Sequence, residues 1–377
     1  FINTMTTMIL GHAPAPVMGA VKEQLDLGVA YNAPNEHQIR LAKILCERVP
    51  SFDLVRFTNS GTEATLNTIR AARAFTGKNK FAKVEGGYHG THDAVTVSVR
   101  VNPEVAGDAM APQAVAASEG LADGILDQVV IIPFNHTATA RKILEENKDE
   151  LAAVIVEPVM GSVGMVPSSA EFLTMLREFT QENGIVLIFD EVISFRVAPG
   201  GSQQYYGITP DMTSLGKIIG GGFAVGAFGG RKDIMDLYDP TKGIKVSHAG
   251  TFNANPVTML AGAVTMEQLT PDVYRDMAEL TEELRQGIRR VCSELEVPVQ
   301  VTGLGSLFGI HFTDHPIVNY RDIAAEDSAL RNQVFLGLMN EGILMASNLV
   351  GGLSTALGEE EVDSFVGALR RVLERLR

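Results

Sequence analysis

Three features of the sequence predict an α/β fold built on a mainly parallel sheet. Short, continuous apolar runs such as Ile185 to Phe189 and Ala152 to Val156 read as strands buried on both faces. Strand-like and helix-like stretches alternate from Leu54 to Leu215, the rhythm of crossover units. After about Gly262 the texture changes to helical runs rich in Glu and Arg with short strand-like pieces, which reads as a second, smaller α+β domain. A chain of 377 residues is long enough for both.

The totals narrow the function classes. The chain is 45% hydrophobic and 20% charged, ordinary for a folded protein, so a sizeable core is expected. Its net charge of −14 and the lack of any basic run argue against a nucleic acid partner. No apolar stretch approaches the length of a membrane span. Cys46 and Cys292 lie on expected helices without a CxxC partner. They read as buried thiols in a reducing compartment, and a cytoplasmic location is expected. No signal peptide is visible; because the chain opens on Phe1, an upstream segment is expected.

Taken in order, Val17 to Leu27 is a short helix after the turn Gly11 to Pro16. Glu36 to Arg48 carries Ile39, Leu41, Ala42, Ile44 and Leu45 at helical spacing. Leu54 to Phe57 is a strand, and Asn59-Ser-Gly-Thr62 turns into a helix from about Glu63 to Phe75. Lys80 to Glu85 is a strand ending in Gly86-Gly-Tyr-His-Gly90. Val99 to Asp127 is rich in small residues with no clear period, and such a length in a compact domain reads as a functional lid. Val129 to Pro133 is a strand, Ala140 to Asn147 a helix, and Ala152 to Glu157 a buried strand. Ser168 and Glu171 match a capping box opening a helix with Phe172, Met175, Leu176 and Phe179, stopped by Gly184. Strands Ile185 to Phe189 and Met212 to Leu215 follow. In the last third, Tyr274 to Leu295 is helical, and Val299 to Val301 and Leu307 to Phe312 are strands of a smaller sheet. Glu360 to Leu376 bears a stripe of Val362, Phe365, Val366, Leu369, Val372, Leu373 and Leu376, so it packs on one face.

The chemistry gathers at strand ends. Asp190 and Glu191 terminate one buried strand, at the carboxyl edge where open α/β sheets place ligands. Lys217 stands just past the next strand and opens Gly220-Gly-Gly222. An acid and a lysine so placed suit pyridoxal 5'-phosphate: the amine forms a Schiff base with the aldehyde, and the acid keeps the ring nitrogen protonated. Ser60-Gly61-Thr62 supplies a phosphate site, since a helix N-terminus offers unpaired N–H groups and Gly61 lets the backbone come close. Tyr88, between glycines, can lay its ring on a planar cofactor. Thr251 is open between a further phosphate ligand and a cap. His89 and His92 form an HxxH pair for which no third ligand is evident, and no metal is expected. Arg196 is open between a substrate carboxylate partner and a structural ion pair, with the ion pair favoured. Nucleotide motifs fail: Lys217 is followed by Ile218, and Gly303 to Gly309 has the wrong glycine spacing.

The segments NSGTEAT (59–65), GYHG (87–90), EP (157–158), DEVISFRV (190–197), DMTSLGKIIGGG (211–222), GAFGG (226–230) and GTFNANP (250–256) together resemble the class III pyridoxal phosphate aminotransferases. Within them the chain is most similar to the branch of glutamate-1-semialdehyde aminomutase and the β-amino acid transaminases. The resemblance covers essentially the whole chain and implies the aspartate aminotransferase-type fold (fold type I). That means a mostly parallel seven-stranded sheet with a smaller α+β domain, divided here as 1–30 (part of the small domain), 31–262 (large cofactor-binding domain) and 263–377 (small domain). It further implies Lys217 as Schiff-base lysine, Asp190 against the pyridine nitrogen, and Val192 and Tyr88 on the two faces of the ring. Ser60, Gly61 and Thr62 would hold the phosphate, with Thr251 reaching it from the partner of a homodimer with shared active sites. The partners so implied are a small-molecule amino donor and a keto acid acceptor.

Two departures bear on substrate. The chain has Ile193-Ser194 where the aminomutase carries threonine and glycine, and Asn348 stands roughly where β-phenylalanine-type transaminases place an arginine. The motifs around Ser247 to Asn253 and Thr302 to Ser306 look more like the β-transaminase side. The expectation is therefore transamination of a β-amino acid or related amine, with the 2,1-aminomutase as the alternative. A silent binding protein on the same fold is disfavoured by the intact Lys217 and Asp190.

Overall fold

A computed structural model describes residues 1–243 and 245–377 of the chain. Seven strands form the central sheet: β1 (Leu54–Thr58), β2 (Lys80–Val84), β3 (Val129–Ile132), β4 (Leu151–Val156), β5 (Val186–Asp190), β6 (Met212–Gly216) and β7 (Gly226–Gly230). Their spatial order is β1-β7-β6-β5-β4-β2-β3. Only β7 runs antiparallel to its neighbours. The mostly parallel seven-stranded sheet and the fold type I architecture expected from the sequence are present.

The apolar runs are buried on both faces for the reason the sequence suggests. Side chains alternate along a strand, and the alternation sorts them into two cores. Val154, Val156, Leu187 and Phe189 face α4 (Thr137–Asn147) and α5 (Ala170–Glu182). Ala153, Ile155, Val186 and Ile188 face α3 (Gly61–Thr76).

Strand β7 has no counterpart in the sequence reading. Its sequence, Gly-Ala-Phe-Gly-Gly, carries almost no strand signal. The glycines are there because of close approach: a Cβ at Gly226 would lie 2.0 Å from the Ser60 carbonyl oxygen, and one at Gly229 2.4 Å from that of Leu54. Two other expectations shift. The cap of α5 is Ser169, whose hydroxyl accepts from the Phe172 N–H at 3.1 Å, while the Ser168 hydroxyl is buried without a partner among the described residues. The Ser168 backbone is instead tied to the Pro158 carbonyl at 2.9 Å, which holds it outside the helix. Residues 99–127 are not structureless: they hold a 3-10 turn at Pro103–Val105 and a two-residue ladder, Gly107–Asp108 with Ala111–Pro112.

Beyond the sheet, α6 (Pro256–Gln268) packs on α1 (Ala15–Leu27) and α2 (Glu36–Arg48). The long α7 (Pro271–Glu294), α8 (Ser328–Asn340) and α9 (Glu359–Leu376) cover an antiparallel sheet of β8 (Gln300–Thr302), β9 (Leu307–His311) and β10 (Val350–Gly352). The stripe on α9 is buried up to Leu373 except for Val366, which is half-buried, and Leu376 is exposed. Phe1 packs into this same core, its ring 4.8 Å from that of Phe365, so the two chain ends share one hydrophobic cluster. Cys292 is buried but Cys46 only half-buried, and neither is paired. Among the described residues, no helix is long and apolar enough to cross a membrane.

Candidate active site

Strands β1, β2, β4, β5 and β6 all deliver their carboxyl ends to one edge of the sheet. A cavity of about 330 Å³ opens there. Of the sequence-selected residues, Gly61, Thr62, Tyr88, Asp190, Val192 and Lys217 border it. Ser60 stands just behind and Thr251 lies outside, exposed on a turn.

Lys217 follows Gly216 at the end of β6 and takes a left-handed backbone, φ 51°. A non-glycine residue there stores strain of the kind that gathers at functional sites. Burial pushes its ammonium below the usual lysine value, while the charges of Asp190 and Glu157 pull the other way. Asp190, the last residue of β5, lies in register with Ser214 of the neighbouring β6. Its Oδ1 accepts the Val192 N–H at 3.1 Å, and its Oδ2 is 2.8 Å from His89 Nδ1. Burial raises the Asp190 carboxyl to about 7, opposed by the Val192 N–H and by Lys217.

His89 is the residue the sequence did not place. Burial lowers it to about 3, so the ring is neutral at ordinary pH. A neutral ring against a carboxylate carries its proton on Nδ1, which then donates to Asp190. Its Nε2 is buried with no partner among the described residues. Glu157, at the end of β4, was equally unassigned. Its two oxygens accept the Tyr88 N–H at 2.8 Å and the Gly161 N–H at 3.1 Å, which ties the aromatic loop to the sheet edge. Burial, with Asp190 adding, raises its carboxyl to about 7 against the pull of His89 and both N–H groups. The signal was available: like Asp190, Glu157 ends a fully apolar strand. His89 gave none, because its partner is 101 residues away.

The three residues expected at the helix start play different parts. The Ser60 hydroxyl is engaged as N-cap, accepting from the Glu63 N–H at 3.2 Å, while the Glu63 carboxylate takes the Asn59 N–H at 2.6 Å. That leaves the N–H groups of Gly61 and Thr62 free of protein partners among the described residues, at the positive end of α3. Gly61 is pressed by Val192: a Cβ there would lie 3.1 Å from both valine methyls. Gly90 has φ 102°, and a Cβ on it would lie 2.5 Å from the Thr62 hydroxyl.

Neither sequence reading of Arg196 holds. It is fully buried and donates to the Ser306 hydroxyl at 2.9 Å and to the carbonyls of Thr6, at 2.7 Å, and Leu353. It meets neither the cavity nor a carboxylate, because the chain start and the β10 region close around it. Asn348 likewise turns to the backbone, donating to the Ser162 carbonyl at 3.0 Å. Glu191 is buried among the Ser202 and Gln203 N–H groups and serves the turn after β5.

The family model described as Aminotransferase class-III matches residues 1–352. A curated relative, the glutamate-1-semialdehyde 2,1-aminomutase of Methanothermobacter thermautotrophicus, is 41% identical over 98% of this chain and 86% of its own length. Further curated relatives carry the same name. Among solved structures, an omega-transaminase from Sphaerobacter thermophilus is 46% identical with a TM-score of 0.96, covering 99% of this chain and 86% of that one. A transaminase with pyridoxal phosphate bound is 34% identical with a TM-score of 0.91, covering 100% of this chain and 86% of that one.

Proposed function

The chain belongs to the class III aminotransferase family, and on that premise we propose that it moves an amino group within one molecule, as a glutamate-1-semialdehyde 2,1-aminomutase does. It is an enzyme, and its cofactor is pyridoxal phosphate. The observation that carries the intramolecular reading is the 41% identity, over 98% of the chain, to an aminomutase. This reverses the order in which the sequence motifs ranked the two reactions. The second reading, transamination between a β-amino acid or related amine and a keto acid, is favoured by the 46% identity to an omega-transaminase.

The donor set fits the cofactor. Two free N–H groups at the start of α3, beside a glycine whose Cβ would fill the space, suit a phosphate. A buried carboxylate held by the Val192 N–H and His89 suits a protonated pyridine nitrogen. When bound, pyridoxal phosphate supplies a carbonyl that takes up the amino group and a ring that draws electrons from the carbon beside it.

The chain's own residues do the rest. Gly61 and Thr62 would anchor the phosphate, with Ser60 keeping the helix start in shape. Asp190 would hold a proton on the ring nitrogen, and His89, donating through Nδ1, keeps that carboxyl aimed. Val192 and Tyr88, the latter 38% exposed, both border the cavity and would lie against the two faces of the ring. Lys217 would hold the cofactor covalently at rest, and its amine, made easier to deprotonate by burial, would be the base that takes and returns a proton at the reacting carbons. Thr251 and Phe252, the latter 61% exposed, support a homodimer in which Thr251 completes the partner's phosphate site. The unpaired cysteines support a cytoplasmic location. The test is turnover of glutamate-1-semialdehyde with no keto acid present.

A further inference from the structure

Tyr320 and Arg321 lie far in sequence from Tyr88 and His89, yet both touch the root of the loop that carries them. They open a short helix, Tyr320–Ala324, fixed by a capping box: the Asn319 side chain accepts the N–H groups of Arg321 at 2.8 Å and Asp322 at 3.3 Å, and the Asp322 carboxylate takes the Asn319 N–H at 2.9 Å. From this fixed base Arg321 makes a two-pronged contact with Glu85, Nε to Oε2 and a terminal nitrogen to Oε1, each 2.9 Å. The guanidinium also donates to the carbonyls of Gly107, at 2.8 Å, and Ala106, at 3.3 Å. Tyr320 repeats the pattern. Its hydroxyl donates to the Val101 carbonyl at 2.7 Å, and its ring fills the space left by Gly86, where a Cβ would lie 2.5 Å from the tyrosine Cγ.

Each residue of the pair therefore joins the root of the Gly86–Gly90 loop to residues 101–107 of the long segment after it. Glu85 is buried, so its charge is stable there only when paired. A planar fork with further N–H groups to spare can grip a carboxylate and two carbonyls together; a lysine cannot. We propose that Tyr320 and Arg321 are positioning residues that lock the Tyr88–His89 loop to the 99–127 segment, so that retention of pyridoxal phosphate depends on the Arg321 fork. The inference concerns the holoenzyme and holds for either reading of the substrate.

The test uses the full chain loaded with pyridoxal phosphate, diluted into cofactor-free buffer, with release followed by absorbance alongside protease cleavage within 99–127 and the thermal midpoint. R321Q should release cofactor about tenfold faster or more, as expected for a sub-ångström misplacement of binding groups, and should be cleaved sooner. R321K, which keeps the charge but not the fork, should fall between. The double variant E85Q/R321Q leaves no unpaired buried charge, so its thermal midpoint should recover while cofactor release stays fast. If R321Q does not fold, the double variant alone carries the measurement. Unchanged release in R321Q, or release that recovers together with stability in the double variant, would mean the pair only holds the fold and would overturn the inference.

Discussion

His89 Nδ1 lies 2.8 Å from Asp190 Oδ2, and both side chains are buried. The neutral imidazole, donating through Nδ1, fixes the orientation of a carboxyl that burial raises to about 7. Asp190→Asn should still allow the cofactor to bind through Lys217, but the ring nitrogen would lose its proton. Each pKa unit lost there costs tenfold in the protonated fraction, so two units would slow proton abstraction roughly 100-fold. His89→Ala should show a smaller loss in the same direction. Single-turnover rates check both; near-normal rates in Asp190→Asn would remove Asp190 from its role.

Lys217→Ala separates the covalent role of the lysine from binding. The N–H groups of Gly61 and Thr62 proposed to hold the phosphate are untouched, so the cofactor should still bind, without the absorbance of the lysine-linked form. Turnover should fall by about 100- to 10,000-fold, the range lost with a positioned proton-transfer group. A variant with wild-type absorbance and rate would show that another residue carries the linkage.

Gly90→Ala tests the cradle. The new methyl would meet the Thr62 hydroxyl in a backbone conformation that suits only glycine. The strain costs roughly 1–3 kcal/mol, and part should appear as weaker pyridoxal phosphate binding, because Thr62 borders the cavity. Titration of the cofactor-free protein would read it, and unchanged affinity would place the phosphate elsewhere.

His248 gives a pH dependence with a definite sign. Burial, with Arg56 adding, lowers it from 6.5 to about 4. Between those values the unfolded chain binds more protons than the folded one, so stability should rise as pH rises from about 4 to about 6.5. The contribution is fully present above that window and is lost as pH falls through it. His248→Gln should flatten the slope, read as denaturant midpoints across the window relative to wild type. A slope as steep as wild type would exclude His248 as a source. Asn253 lies between His248, at 3.4 Å, and Asn59 at the cavity, at 2.7 Å.

What could be read from the sequence was local. The helix Ala170–Glu182 showed in its stripe, and β5 in an apolar run ended by an acid. The residues around Lys217 and Gly61 were found because strand ends and helix starts have short-range signatures. What was missed depends on distant contacts. Strand β7 consists of glycines whose necessity appears only once the Ser60 and Leu54 carbonyls lie against them. Arg196 read as an ion-pair residue because nothing nearby showed that Thr6 and Leu353 would surround it. The start of the 99–127 segment lacked a pattern because Arg321 and Tyr320, more than two hundred residues away, hold its stretch from Val101 to Gly107 in place.

The central claim is that the amino group moves within one molecule. The direct measurement is conversion of glutamate-1-semialdehyde to 5-aminolevulinate by the pyridoxal phosphate-loaded protein with no keto acid present. The account predicts sustained turnover over many cycles. No turnover there, together with steady exchange between a β-amino acid and 2-oxoglutarate or pyruvate, would contradict it and establish the intermolecular reaction instead.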